Sequence, residues 1–307
     1  MATSTTRTLT TKRKRTDKGG RVFYWSMLVL PLLQFIIFYI IVNFNSVLMA
    51  FKEYNTLTFE TSFSLNNFKY WFTNQTWPTL VICFKNSFKY FLLTLLTVPV
   101  SLFISYYIYK KYVMSQFFKI IMFIPSIICI SAFAIMYKFF INNGLSFLFK
   151  GETPIEAVYN QYREPMIIVF YLLMCFSCNI LLYINAMGHI NPNVIEASKI
   201  DGASEFRIFF NIVIPQIWGT LVSLLVIFMA GIVTNQAYLF NFFGITAETE
   251  MQTVGYFIFK SIQEGATPNV EASYYLVSAL GLMLTVVVAP FTIIVRKLLT
   301  KYGPSED

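Results

Sequence analysis

Charge is what this sequence has least of. Only 12% of its 307 residues are Asp, Glu, Lys or Arg, about half the share in an average soluble domain, while 56% are hydrophobic. So little polar material cannot cover an ordinary soluble fold. Histidine occurs once, as His189, which excludes a multi-histidine metal cluster and, with acids scarce in the apolar runs, leaves no acid–base pair for a membrane-embedded enzyme. The four cysteines, Cys83, Cys129, Cys175 and Cys178, include a Cys-x-x-Cys pair, but it sits in an apolar run with no further ligand nearby, so packing is its expected role. No Gly-x-x-x-x-Gly-Lys-Ser/Thr phosphate loop occurs, which excludes ATP hydrolysis of that kind by this chain. No Ala-x-Ala site follows the first apolar run, itself much longer than a signal core of about 7 to 15 residues, so that run is expected to remain as a helix. Internal repeats are missing too, and the one biased segment is the Thr-rich, basic start, expected to be disordered.

Long apolar runs are what the sequence does have. Six stretches of at least 18 residues carry no Asp, Glu, Lys or Arg: 22–51, 90–109, 120–137, 165–195, 208–247 and 272–295. A bilayer core of about 30 Å takes roughly 20 apolar residues per helix. Barrel strands would alternate apolar and polar positions, whereas these runs are apolar on every face. The expectation is an all-α membrane protein with six transmembrane helices near 26–48, 88–109, 118–140, 165–187, 214–238 and 272–295. A basic tail over 1–22 would precede a transmembrane domain over 23–300, with a loop at 188–213 and a short tail at 301–307.

The formal net charge is +8, yet seven basic residues crowd into the first 21, with Lys12-Arg13-Lys14-Arg15 shortly ahead of the first span. That placement suits a topology signal or contact with anionic membrane lipid and argues against nucleic acid as a partner. Counted by side, the segments sharing the N-terminal side carry fifteen Lys and Arg against six on the other. The positive-inside rule then puts both termini in the cytoplasm. Asn142-Asn143-Gly144, Gly151, Pro154 and Asn191-Pro192 mark turns, and Pro99 and Pro125 predict kinks within spans. Tyr24, Trp25, Tyr106, Tyr107 and Tyr109 near span ends suit the membrane interface. Apart from Lys119 at the boundary of the third span, Lys89 and Lys138 are the only basic residues inside spans, both near span ends, so the interior reads as uncharged.

The most informative stretch runs from His189 to Gln216, HINPNVIEASKIDGASEFRIFFNIVIPQ. Apolar Val194, Ile195, Ala197 and Ile200 interleave with Glu196, Lys199 and Asp201, then Gly202 precedes a segment carrying Phe206, Phe209 and Phe210. Alone, this pattern predicts an amphipathic helix, a glycine turn and a second helix, packed beneath the bundle or offered to a partner. These residues resemble the cytoplasmic signature of binding-protein-dependent ABC importer permeases: Glu-Ala-Ala, three residues, Gly, nine residues, Ile-x-Leu-Pro. Here it reads Glu196-Ala197-Ser198, Gly202 and Ile212-Val213-Ile214-Pro215, with the spacing kept and two mild replacements. Weaker likenesses to the carbohydrate, maltose-transporter type of permease lie at residues 50–55, at 65–68, at Asn86-Ser87, and at Asn235 and Tyr238, where Asn replaces the Asp of an Asp-x-x-Tyr pattern. The Gly-Gly-Pro that often follows is missing.

The resemblance implies a type I ABC importer permease fold in the bacterial inner membrane, importing a sugar or oligosaccharide. It implies a second homologous permease, an extracytoplasmic solute-binding protein, and a separate ATPase dimer carrying the ATP and Mg, with no cofactor on this chain. Coupling to the ATPase would fall to Glu196, pairing with a basic residue, to small Ala197 and Ser198, admitting close approach, to Gly202, allowing the turn, and to Ile212, Ile214 and Pro215. A sugar presents hydroxyls and apolar ring faces, so Ser177, Asn179, Tyr183, Ser223, Thr234, Asn235, Gln236 and Tyr238 are candidates for the substrate path. Each is equally suited to tying helices together. The uncharged interior favours a neutral solute over ions or protons. Two alternatives stay open: the same importer class carrying an amino acid, peptide or polyol, and a secondary transporter without an ATPase.

Overall fold

The computed structural model describes residues 18–54, 60–141, 143, 155–265 and 272–304. The basic residues before Lys18 and the turn formers Asn142, Gly144, Gly151 and Pro154 lie outside the described residues. The chain forms two units, Met1–Leu48 and Met49–Asp307.

In the first unit α1 (Lys18–Gln34) runs through a π-helical stretch, Phe35–Ile41, into α2 (Val42–Ala50). Apolar side chains surround the helix, and the few polar ones return to its own carbonyls. Asn43 donates to the Tyr39 carbonyl and Ser46 to that of Val42. Such back-bonding satisfies polar groups where no water is at hand.

The second unit opens with an antiparallel pair, β1 (Lys52–Tyr54) and β2 (Thr61–Phe63), in the register Lys52↔Phe63. A short α3 (Asn66–Tyr70) leads to the long α4 (Trp77–Tyr109), followed by α5 (Ser115–Ile127), α6 (Ile130–Phe140) and the long α7 (Ile155–Gly188). Then come α8 (Pro192–Ile200), α9 (Glu205–Ile208), a π-helical turn Phe209–Val213, α10 (Ile214–Gln216) and α11 (Trp218–Ala230). The unit ends with α12 (Leu239–Phe243), α13 (Val254–Gly265) and α14 (Ala272–Tyr302). Helices α4 and α5 pack along α7, and α14 packs on α11 and α13.

Among the described residues four helical stretches are long and apolar enough to cross a membrane: Val22–Ala50, Trp77–Tyr109, Tyr162–Gly188 and Ser273–Tyr302. Two bent pairs, Ser115–Ile127 with Ile130–Phe140 at 107° and Glu205–Gln216 with Trp218–Ala230 at 70°, bring the number to six where each pair is counted as one span. Helices thus occupy all six of the expected regions, and four of these depart from their expected form. Helix α4 starts eleven residues before position 88, with Pro78 in its first turn where a missing N–H costs nothing. Helix α7 likewise starts ten residues before position 165. The third span breaks at Ile128 and Cys129, whose ψ angles of 139° and 127° are extended. The helix runs past Pro125, and the break falls three residues later in a β-branched stretch, Ile127, Ile128 and Ile130, that gives up helix readily. The fifth span stops at Ala230 instead of 238. Gly231 follows as its C-cap, and farther on the Asn235 side-chain oxygen accepts from the Ala237 N–H at 2.8 Å while Ala237 and Tyr238 take left-handed φ of 50° and 59°, so the chain turns instead of resuming the helix.

Candidate functional site

The loop after α7 is built by local capping. Asn191 caps α8, its side-chain oxygen accepting from the Asn193 N–H at 3.0 Å, and Pro192 occupies the first helical position. The helix closes with Ala203 N–H on the Ser198 carbonyl and Gly202 N–H on the Lys199 carbonyl, both at 3.0 Å. This crossed pair requires a left-handed residue, and Gly202 supplies it with φ +76°. Ser204 then caps α9, accepting from the Arg207 N–H.

The signature divides into two faces. Glu196, Ala197 and Gly202 are exposed, beside Ile200 at 87% and Phe206 at 71% exposure. Ser198 was expected beside Ala197 on the outer face, but it is buried and donates to the Ile195 carbonyl at 2.8 Å. Three residues separate Ile195 from Ser198, so both fall on the inner side of one helical turn. Ile212 and Ile214 pack against the buried cluster of Val98, Leu102, Tyr106, Ile195, Ile208 and Phe209, and Pro215 lies half-buried just before the bend at Ile217. The second half of the signature therefore builds the loop's seat.

Glu205 joins that seat to α4. One carboxylate oxygen accepts from the Tyr106 hydroxyl at 2.6 Å and lies 2.9 Å from the Lys110 ammonium; the other lies 3.8 Å from Lys199 of α8. The Lys110 side chain is only 8% exposed, which makes its pairing with Glu205 stronger than a surface contact. The sequence pattern alone did not single out Glu205; an acid in the first turn after a Ser cap was the available signal.

A second feature is a cavity of about 280 Å³ among α4, α7 and the turn after α11. Of the eight path candidates it gathers three, Asn179, Asn235 and Tyr238, and adds Ser87, Thr94 and Tyr171. Tyr171 is its hinge point: its hydroxyl meets Thr94 at 2.6 Å and accepts from the Asn235 amide at 2.6 Å. Asn179 reaches Thr97 at 3.5 Å. Cys175 and Cys178, expected only to pack, also stand on the wall. The other candidates lie elsewhere. Ser177 donates to the Met122 carbonyl and Ser223 to Gly219 of its own helix. Tyr183 is buried in the apolar cluster beneath the loop, while Thr234 and Gln236 sit on the turn without lining the cavity. Thr94 and Thr97, three apart on α4, were the overlooked polar face.

A larger cleft of about 1360 Å³ runs along another face of α4 and carries charge: Lys85, Lys89, Arg163, Glu164, Glu248 and Glu250. Lys89 pairs with Glu164, and Arg163 with Glu248 at 2.6 Å. Because α4 begins at Trp77, Lys89 stands twelve residues inside the helix, next to the start of its charge-free run. Asn86 donates to the carbonyls of Glu250 at 2.6 Å and Gln252 at 3.0 Å, and Ser87 accepts from Val254 N–H at 2.9 Å. This pair pins the 250–254 segment to α4.

Residues 97–302 match the family described as binding-protein-dependent transport system inner membrane component. A probable ABC transporter permease protein, MG188 of Mycoplasma genitalium, is 26% identical over 84% of this chain and 82% of its own length. The polygalacturonan/rhamnogalacturonan transport system permease protein YteP of Bacillus subtilis is 22% identical over 66% of each chain. Among solved structures, a bacterial ABC transporter involved in the import of the acidic polysaccharide alginate superposes with a TM-score of 0.74 at 20% identity, covering 92% of this chain and 97% of its own, which establishes a common fold. The apolar helices make the chain a multi-pass protein of the inner membrane. It belongs to the family of binding-protein-dependent transport system inner membrane components.

Proposed function

We propose that the chain is one of two permease subunits in an ATP-binding-cassette importer of an oligosaccharide, with both termini and the 188–213 loop in the cytoplasm. The observation that carries this reading is the outer face of the loop. Glu196 and Ala197 stand exposed beside bare Ile200 on a helix capped at both ends, with bare Phe206 on the next helix. An apolar face with a carboxylate at its side, held rigid, suits insertion into a cleft of a partner protein. That partner is an ATPase dimer bearing the ATP and Mg. Closure of the dimer displaces α8, and the Glu205 contacts with Lys199, Tyr106 and Lys110 carry the displacement to α4. The same helix carries Thr94 on the cavity wall. An extracytoplasmic binding protein delivers the solute, whose hydroxyls meet Asn179, Asn235 and Thr94 and whose ring faces stack on Tyr238.

The names of the relatives support a saccharide, and the balanced three cations and three carboxylates of the outer cleft support a neutral one. An acidic glycan is the second reading, favoured by Lys85, which makes no ion pair among the described residues. Competition of neutral against acidic oligosaccharides for uptake separates the two. The importer reading is tested by co-expression with chromosomal neighbours. An ATPase and a second permease should copurify, and Glu196→Lys should release the ATPase while leaving the permease pair intact. A chain that purifies alone or only with itself would make it a secondary transporter.

A further inference from the structure

The turn between α4 and α5 borders a cavity that includes none of the signature residues of the coupling loop and none of the translocation-path candidates. Its volume is about 640 Å³, and Lys111, Ser115, Gln116, Lys119, Asn185 and His189 stand on its walls, between the end of α4, the first turns of α5 and the end of α7. Among the described residues no acidic side chain lines it. Lys110, the next residue, is held by Glu205, but Lys111 and Lys119 make no ion pair among the described residues. Two lysines without a counter-charge thus line one concave space together with Ser115, Gln116 and Asn185. The backbone is bent to allow it: Lys111 and Met114 both hold left-handed φ, at 54° and 60°.

What surrounds the cavity narrows the ligand. From its rim the outer side of α5 and the turn before it expose Val113 at 81%, Ile120 at 60% and Ile127 at 74%. A carboxylate on a soluble partner would answer the lysines and leave this apolar face in water. A phospholipid answers both, with acyl chains along α5 and a phosphodiester between the lysines. Basic pockets between membrane helices take anionic headgroups on these grounds. We infer that this cavity binds the headgroup of an anionic phospholipid, Lys111 and Lys119 holding the phosphate and Ser115, Gln116 and Asn185 the headgroup hydroxyls. The inference needs this end of the bundle to lie at the membrane surface and does not depend on the coupling role of Glu196 or on the solute.

The experiment places the full chain in nanodiscs of dioleoyl phosphatidylcholine with or without dioleoyl phosphatidylglycerol and reads retained lipid by native mass spectrometry, and Tm alongside. Phosphatidylglycerol should be retained over phosphatidylcholine and should raise Tm. The double variant Lys111→Gln/Lys119→Gln should bind it about 25-fold more weakly, about fivefold per lysine, with its Tm in pure phosphatidylcholine unchanged. Replacing Lys12, Arg13, Lys14 and Arg15 with Gln should leave the retention in place; loss of retention there, with the cavity variant behaving as wild type, overturns the inference. Inorganic phosphate that raises Tm in phosphatidylcholine as much as phosphatidylglycerol does would make this a small-anion site and overturn the lipid assignment. A cavity variant that retains lipid normally but loses a copurifying ATPase would make it a protein-docking surface and overturn the lipid assignment as well.

Discussion

Both ends of α4 pack in apolar clusters, Leu80 and Cys83 with Val254 at one and Leu102 and Tyr106 with Phe209 at the other, but their polar contacts differ. At the loop end Leu102 and Tyr106 sit in one apolar cluster with Tyr183, Ile195, Ile208, Phe209 and Val213, and the strong polar contacts converge on Glu205. About 30 Å back along the helix, Asn86 and Ser87 hold the 250–254 backbone, Gln252 donates to the Ala247 carbonyl, and the Tyr256 hydroxyl donates to that of Gly244. The cause lies in what each end must cover. Helices with apolar faces need only packing, whereas the stretch from 231 to 253 is mostly turns, whose backbone groups need side-chain partners. A packed end should absorb a small change over many contacts, and a pinned end should fail at a single atom.

Among substitutions of only a few atoms, the largest effect is expected where the pinned end has no room at all. A Cβ on Gly255 would lie 2.4 Å from the Thr234 carbonyl oxygen, 2.5 Å from its carbon and 2.9 Å from the Asn235 oxygen. These are backbone atoms that cannot rotate away, so Gly255→Ala should cost about 3 kcal/mol and lower Tm by several degrees. An unchanged Tm would mean that the 231–238 turn gives way freely, and the contrast between the two ends would collapse. Asn86→Ala comes next. It leaves two carbonyls without their donor, at about 2 kcal/mol, and Asn86→Asp should rescue nothing because a carboxylate cannot donate to them. A variant with Asp as stable as the parent would remove Asn86 from the pinning role.

At the packed end substitutions of a few atoms are expected to cost less. Glu205→Gln keeps the shape but leaves the Lys110 ammonium without its counter-charge; with Glu205 itself partly exposed, about 1 to 2 kcal/mol is expected. Lys110→Met in the same chain should recover part of it, which a double-mutant cycle on Tm measures. Additive losses would show that the two charges do not interact.

These differences track what a sequence can reveal. Charge-free runs disclosed the spans because lipid imposes one composition on each of them. Asn191-Pro192 and Gly202 disclosed α8 because caps are local chemistry between residues close in the chain. The stop of the fifth span at Ala230 was hidden, since the turn that follows is held in part by Thr253 on the Asn235 carbonyl and by Tyr171 on the Asn235 amide, neither of them a neighbour in sequence. Asn86 shows the same limit: its bonds reach 164 and 166 residues ahead. Glu205 was legible as a helix-start acid, but its partners Tyr106 and Lys110 lie on another helix.

The smallest predicted effect is the most discriminating. Tyr183 was a candidate for the substrate path, yet it is fully buried in the packed cluster, and its hydroxyl has no hydrogen-bond partner among the described residues. A buried hydroxyl without a partner forfeits its bond to water on folding, so removing it should not destabilise. Tyr183→Phe is expected to hold or raise stability by up to about 1 kcal/mol and to leave uptake unchanged. Tyr183→Ala empties a ring-sized space and should cost about 3 to 5 kcal/mol. Slower uptake in Tyr183→Phe at unchanged Tm would mean that the hydroxyl serves the solute, and the packed end would then share the polar work assigned to the cavity. Unchanged uptake with the large loss in Tyr183→Ala would leave the ring as a packing element and sharpen the division along α4.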